Sequence, residues 1–201
     1  MAGVSGRRLL PLVAGAHACT LLALLLFAAM TGGSMRTPLA LPGMAGMPLA
    51  WLFNLLAWVV PGGMVAFAAL RLRAGLPAAG LAAGIALRLL MLAALAFAAQ
   101  GLLPLDPGAL DAGTSRWHAA VWMLWNLAFV AGALLSALAL RGVRWPSLAL
   151  FAIVAICLLA PRLAVDVFGA GIVERVVLAC WWAWTLLLAW RLSDRRRQAA
   201  K

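Results

Sequence analysis

Asp106 and His118 are the side chains in this sequence best suited to chemistry: a carboxylate and an imidazole with eleven residues between them. Asp106-Pro107-Gly108 is a turn signal, since an Asp caps its own backbone and Pro fixes φ. A tight turn there would fold the connection back and bring the two groups together as an ion pair or an acid–base dyad. Asn54 is the expected third member, and Asp111 lies in the same connection. His118 also opens a helical face that continues through Trp122, Trp125 and Asn126 at i+4, i+7 and i+8. The plainer alternative makes Asp106 a turn residue and His118 an interfacial hydrogen-bonder.

A second constellation lies deeper in apolar sequence. Arg88 shares a helical face with Gly80 and Gly84, a spacing that lets a neighbouring helix approach closely, which predicts that Arg88 points into a bundle. An arginine at the centre of a membrane helix costs about 3 kcal/mol on insertion scales, so partners are expected. Pro61-Gly62-Gly63 supplies one: proline cannot donate to the carbonyl four residues back, that of Ala57, and the helix kinks or hinges there. Asn126 lies at comparable depth and is the other expected partner. Arg88 then serves either as structural glue or as a positive locus for an anionic lipid or substrate group.

The elements that must position these residues are six apolar runs. They read as helices over Leu9 to Thr31, Leu49 to Leu70, Pro77 to Leu103, Trp117 to Leu140, Trp145 to about residue 165, and Gly171 to Trp190. Each is about the 20 residues needed to cross a bilayer. Runs such as Leu21 to Ala29 are apolar at every position, which excludes the alternation of a membrane β-barrel. With 67% of residues apolar, 10% charged and a mean hydropathy of +1.06, the chain is an all-α, polytopic six-transmembrane-helix bundle with a kinked second helix, forming one integral membrane domain. Arg7-Arg8 ahead of the first run imitates a signal peptide, but the run is long and lacks a small-residue cleavage site, so it reads as a retained helix.

Charge orients the bundle. Eleven basic residues (Arg7, Arg8, Arg71, Arg73, Arg141, Arg144, Arg191, Arg195, Arg196, Arg197 and Lys201) fall at one end. Arg36, Arg116, Arg162 and Arg175 fall at the other, among Asp106, Asp111, Asp166 and Glu174. Because basic loops stay cytoplasmic, both termini are expected inside and the 106–118 connection outside, in a bacterial inner membrane. Trp51, Trp117, Trp145 and Trp190 sit at helix ends as interfacial anchors, while Trp181, Trp182 and Trp184 lie deeper.

The order Pro61-Gly62-Gly63, then Leu103-Pro104-Leu105-Asp106-Pro107, then His118 opening the fourth helix resembles the bacterial six-helix family catalogued as domain of unknown function 998. In that family a Phe-Pro-Cys-Asp-Pro-like stretch precedes a histidine in the same topological position. Leu105 stands here in place of the cysteine, so a thiol role at that position is absent. The resemblance implies a fold and a site but no reaction.

Two functional classes are open. The first is a non-enzymatic binder of a lipid, small amphiphile or partner protein, with a polar site facing the periplasm. The second is an intramembrane hydrolase or transferase using Asp106 and His118. His17 and His118 are too few for a three-histidine zinc centre, and their depths do not match as haem ligands. Cys19, Cys157 and Cys180 lack metal or disulfide spacing. No metal or other cofactor is expected. Membrane lipids are the expected partners, with a membrane-protein partner or a homo-oligomer beside them; the Arg195-Arg196-Arg197 tail reads as a lipid contact, with no nucleic acid involved. The non-enzymatic class is the reading adopted.

Overall fold

A computed structural model of the chain describes residues 9–75, 80–163 and 169–199. Arg7, Arg8, the expected start of the third helix at Pro77, the end of the fifth near residue 165, Asp166 and Lys201 lie outside them. Every regular element among the described residues is helical. Six helices are long and apolar enough to cross a membrane. We number them α1 (Leu9–Thr31), α2 (Ala50–Ala74), α3 (Gly80–Leu102), α4 (Gly113–Ala139), α5 (Arg144–Leu163) and α6 (Ala170–Ala199).

Several ends differ from the apolar runs, for one physical reason. Hydropathy marks where the bilayer stops, whereas a helix stops where its backbone loses partners. Thus α2 runs on through Arg71 and Arg73, and α6 continues to Ala199, well past Trp190. Arginine is a good helix former, so nothing in the basic flanks ends the helix. Helix α4 begins at Gly113, four residues ahead of Trp117, because Ser115 in its first turn is tied to Asp106.

The helices pack in chain order and α6 closes the ring against α1. Between apolar helices in lipid there is no hydrophobic driving force, so close packing must hold the ring together. Aromatic rings fill its centre. Phe27, Phe53, Trp58, Phe97, Trp125 and Trp181 form a continuous chain of ring contacts with centroids 5.0 to 6.2 Å apart, mostly edge to face. Each such pair adds about 0.5–1.5 kcal/mol beyond its buried area. Trp181 and Trp184 are therefore core residues, 1% and 0% exposed, while Trp182 stacks on His17. Trp51, Trp117 and Trp145 are exposed near helix starts, and Trp190 is exposed where α6 leaves its apolar run, nine residues before the helix ends. The Arg191 guanidinium lies 4.4 Å from the Trp190 ring centre.

The break in α2 takes a specific form. Ala50–Asn54 is α-helical, Leu55–Val59 forms one π turn, and Val60–Ala74 resumes the α-helix with Pro61 at its start. Residue 61 would serve the Ala57 carbonyl in α register and the Leu56 carbonyl in π register; proline can serve neither. Both find donors on α1. Thr20 Oγ1 donates to the Ala57 carbonyl at 3.0 Å and Cys19 Sγ to the Leu56 carbonyl at 3.2 Å. Non-α backbone at membrane depth persists where protein groups satisfy it in this way.

Arg88 is not that donor. It is exposed, and a Cβ built on Gly80 or Gly84 meets nothing within 4 Å, so the face they share is open where the glycine spacing led us to expect a packed helix. The close approach of α2 to α3 occurs elsewhere. A Cβ on Gly62 would lie 2.7 Å from the backbone nitrogen of Ala98, and one on Gly101 would lie 2.6 Å from the Asn54 carbonyl. Gly62 is thus a contact point, while Gly63 beside it faces open space.

Candidate functional site

At the end of the bundle that carries residues 32–49 and 103–112, the longer connection is stitched into a cap. Arg175 of α6 donates to four carbonyls, those of Ser34 (3.0 Å), Met35 (3.3 Å), Thr37 (2.9 Å) and Gly171 (2.7 Å). Its neighbour Glu174 accepts the Leu39 N–H through Oε2 at 2.7 Å. Asn54 of α2 donates from Nδ2 to the Gly43 carbonyl at 2.9 Å. The Ala45 N–H reaches the Leu105 carbonyl at 2.8 Å and joins the two connections. Gly171 must be glycine, because a Cβ there would lie 2.6 Å from the Thr37 carbonyl.

Under this cap lies a cavity of about 240 Å³ whose walls come from the cap and four helices. Its polar lining is His118 of α4, Gln100 of α3 and Glu174 of α6, set among Trp58, Trp122 and Trp125. His118 and Gln100 are buried, and Glu174 is partly so. His118 Nδ1 lies 2.7 Å from the Leu103 carbonyl; a carbonyl only accepts, so Nδ1 carries the proton and Nε2 of the neutral ring is left with a lone pair. Three buried N–H donors on the lining residues have no partner among the described residues: Gln100 Nε2, Trp58 Nε1 and Trp125 Nε1. Leaving such a donor unpaired costs about 1–3 kcal/mol. The cavity brings an amide, a carboxylate and an imidazole together among tryptophans.

A second cleft, of about 480 Å³, adjoins the first. It lies between α1 and α6, and its wall is apolar: Leu21, Leu24, Leu25 and Ala28 face Leu178 and Trp182. Pro38 and Leu39 line both spaces. Two shared residues, the second held by the Glu174 carboxylate, thus separate two spaces that are both mostly apolar, one carrying His118, Gln100 and Glu174 and the other Arg175 with Thr31, Ser34 and Thr37.

The structure gives Asp106 and His118 different partners. Asp106 Oδ1 accepts the Gly108 N–H at 2.9 Å, and its backbone N–H and carbonyl both bond to Ser115 Oγ. The turn reading of Asp106 therefore describes its geometry. Asp111 is exposed on the same connection. Asn54 is engaged with the cap, and Asn126 Nδ2 donates to the Trp122 carbonyl at 2.9 Å while its Oδ1 is buried without a partner among the described residues. Of the polar residues singled out from sequence as site candidates, His118 alone lines this cavity, with Trp122 and Trp125 of its helical face beside it. Gln100 and Glu174 were missed there. Glu174 counted from sequence only as one of four acids at that end, yet it is the one acid at the start of an apolar helix. Gln100 is a lone amide in a long apolar run, and both were visible signals.

Among the described residues, no group of three or more His, Cys, Asp or Glu side chains gathers as metal ligands would. Fold and site together define a class: a six-helix bundle with membrane-spanning dimensions and, at one end, a capped cavity that holds His118, Gln100 and Glu174. No protein-family model, curated protein or solved structure matches the chain, and the six-helix family resemblance rests on its motif order alone.

Proposed function

We propose that this protein is a non-enzymatic, multi-pass protein of a bacterial inner membrane that holds a lipid or small amphiphile at its periplasmic end, with both termini in the cytoplasm. The observation that carries this reading is the pair of spaces sharing Pro38 and Leu39: a cavity of about 240 Å³ that holds His118, Gln100 and Glu174, beside a cleft of about 480 Å³ walled by aliphatic side chains of α1. A molecule with a hydrogen-bonding head and an apolar tail would use both spaces at once. Gln100 would bond the head through its amide, and Glu174 or the free nitrogen of His118 would accept its hydroxyl or amine protons. Leu39 would move aside for the tail. The orientation rests on the basic residues gathered at the opposite end.

Native mass spectrometry of the detergent-purified protein, followed by solvent extraction, tests the reading. A stoichiometric amphiphile is expected on the wild type and is expected to be lost from Gln100→Leu, whose amide makes no bond that the bundle needs. A wild type that carries nothing in any mild detergent, or a Gln100→Leu variant that carries the same species at the same occupancy, would overturn it.

A further inference from the structure

We infer that the arginine-rich end of the bundle carries a second, separate site, an open groove between α2 and α3 that takes the phosphate headgroup of an anionic phospholipid on Arg73 and Arg88. The groove has a volume of about 450 Å³. Leu70, Arg73 and Ala74 line it from α2, and Gly80, Gly84 and Arg88 from α3. Its floor is open because the glycines leave it so: a Cβ at Gly80 or Gly84 would touch nothing within 4 Å.

Both guanidinium groups are uncompensated. Arg73 and Arg88 are exposed, and neither has a hydrogen-bond or ion-pair partner among the described residues. Neither α2 nor α3 contains an acidic residue; the acid at this end is Asp194 of α6, set among Arg191 and Arg195 to Arg197. Arg88 lies eight residues into α3 from Gly80, about 12 Å along the axis at 1.5 Å per residue, within the depth from which a long side chain bends back to the headgroup layer. An unpaired arginine at that depth needs a counter-charge more than one at the rim does.

The occupant follows from charge. A second copy packed two-fold over Gly80 and Gly84 would set Arg88 against its symmetry mate, because an isologous contact pairs like with like. A phosphodiester instead accepts from two guanidinium forks at once, a geometry that arginine matches and lysine does not. Leu70 (48% exposed) and Leu81 (77% exposed) offer apolar surface beside the groove for the attached acyl chains. A phospholipid therefore satisfies the groove along its length, and free phosphate would satisfy only its rim.

The experiment measures lipid retention by native mass spectrometry after incubation with mixed micelles holding equal phosphatidylglycerol and phosphatidylcholine. Each guanidinium facing an anionic headgroup is expected to contribute about a fivefold preference. Wild type should favour phosphatidylglycerol. Arg88→Gln should lose about fivefold of that preference, and Arg88→Lys should recover part of it. Gly84→Leu keeps both arginines and fills an open space, so it should lose retention without loss of fold. Unchanged preference in Arg88→Gln or in Gly84→Leu would overturn the site. So would displacement of phosphatidylglycerol by equimolar inorganic phosphate, or a wild-type dimer that Gly84→Leu abolishes.

Discussion

Replacing Thr20 with Val isolates the hydroxyl that repairs the break in α2. The two side chains have nearly the same shape, and Thr20 is fully buried, so packing changes little while one donor disappears. The Ala57 carbonyl, which accepts that hydroxyl at 3.0 Å, is then unpaired in apolar surroundings. An unpaired buried carbonyl costs about 1–3 kcal/mol, whereas hydrogen bonds between membrane helices have averaged about 0.6 kcal/mol with a ceiling near 1.7. A loss of about 1–1.5 kcal/mol is expected, the upper part of the membrane range, because proline denies Ala57 its usual donor. The decisive comparison is the same change in a Pro61→Ala background. Alanine restores an N–H four residues beyond Ala57, so Thr20→Val should then cost about 0.5 kcal/mol or less, a coupling of about 1 kcal/mol between positions in a double-mutant cycle. Unfolding titrations in mixed micelles, followed by tryptophan fluorescence, supply the four stabilities. Equal costs in the two backgrounds, within about 0.3 kcal/mol, would refute the idea that Thr20 stands in for the missing N–H.

Three further outcomes are expected. Gly62→Ala should lower stability by about 1–3 kcal/mol, since its Cβ meets the Ala98 backbone, while Gly63→Ala should leave it unchanged or raise it by about 0.5–1 kcal/mol; thermal melts of the pair check the contrast. Glu174→Gln should keep residues 32–49 protected from hydrogen exchange, because the amide oxygen still accepts the Leu39 N–H, and Glu174→Ala should not; equal protection in both variants would show that the cap does not depend on this bond. Reporter fusions at Lys201 and after Gly142 should be cytoplasmic, and a tag after Gly108 should be labelled from the periplasm; labelling of Gly108 from the cytoplasm would invert the bundle.

The helices and their anchors were legible because lipid imposes a rule that composition alone reveals: long apolar runs, with tryptophan at the rims. A break was legible at Pro61, but its form as a π turn over Leu55–Val59 and its repair were not. A threonine in an apolar helix commonly bonds its own backbone, as Thr20 also does to Ala16 at 3.3 Å, and nothing in the residues near position 20 announces a carbonyl 37 positions away. Arg88 was misdirected by Gly80 and Gly84. Four-residue glycine spacing permits a close helix without requiring one, and here Gly62 and Gly101 make the contact instead. Asp106 behaved locally, so its turn could be read from Asp-Pro-Gly. Glu174 could not, because its partner Leu39 lies 135 positions earlier and the bond exists only once α6 has closed against α1.

That closure has a consequence in time. His17 Nε2 and Thr185 Oγ1 are hydrogen-bonded at 2.7 Å across 168 positions of chain, and Thr185 Oγ1 also lies 3.0 Å from the Trp181 carbonyl. At a synthesis rate of about 5–20 residues per second, α1 waits roughly 8 to 34 seconds in the membrane before that hydroxyl is made. Throughout that interval a histidine that ends 7% exposed has no native companion, and the flank of α1 destined for α6 stands uncovered. The ribosome is thus building a ring whose first and last staves must recognise each other after everything between them is in place. A chain released before residue 185 would leave the imidazole without its hydroxyl partner in the apolar interior, a loose end by which an unfinished ring differs from a closed one.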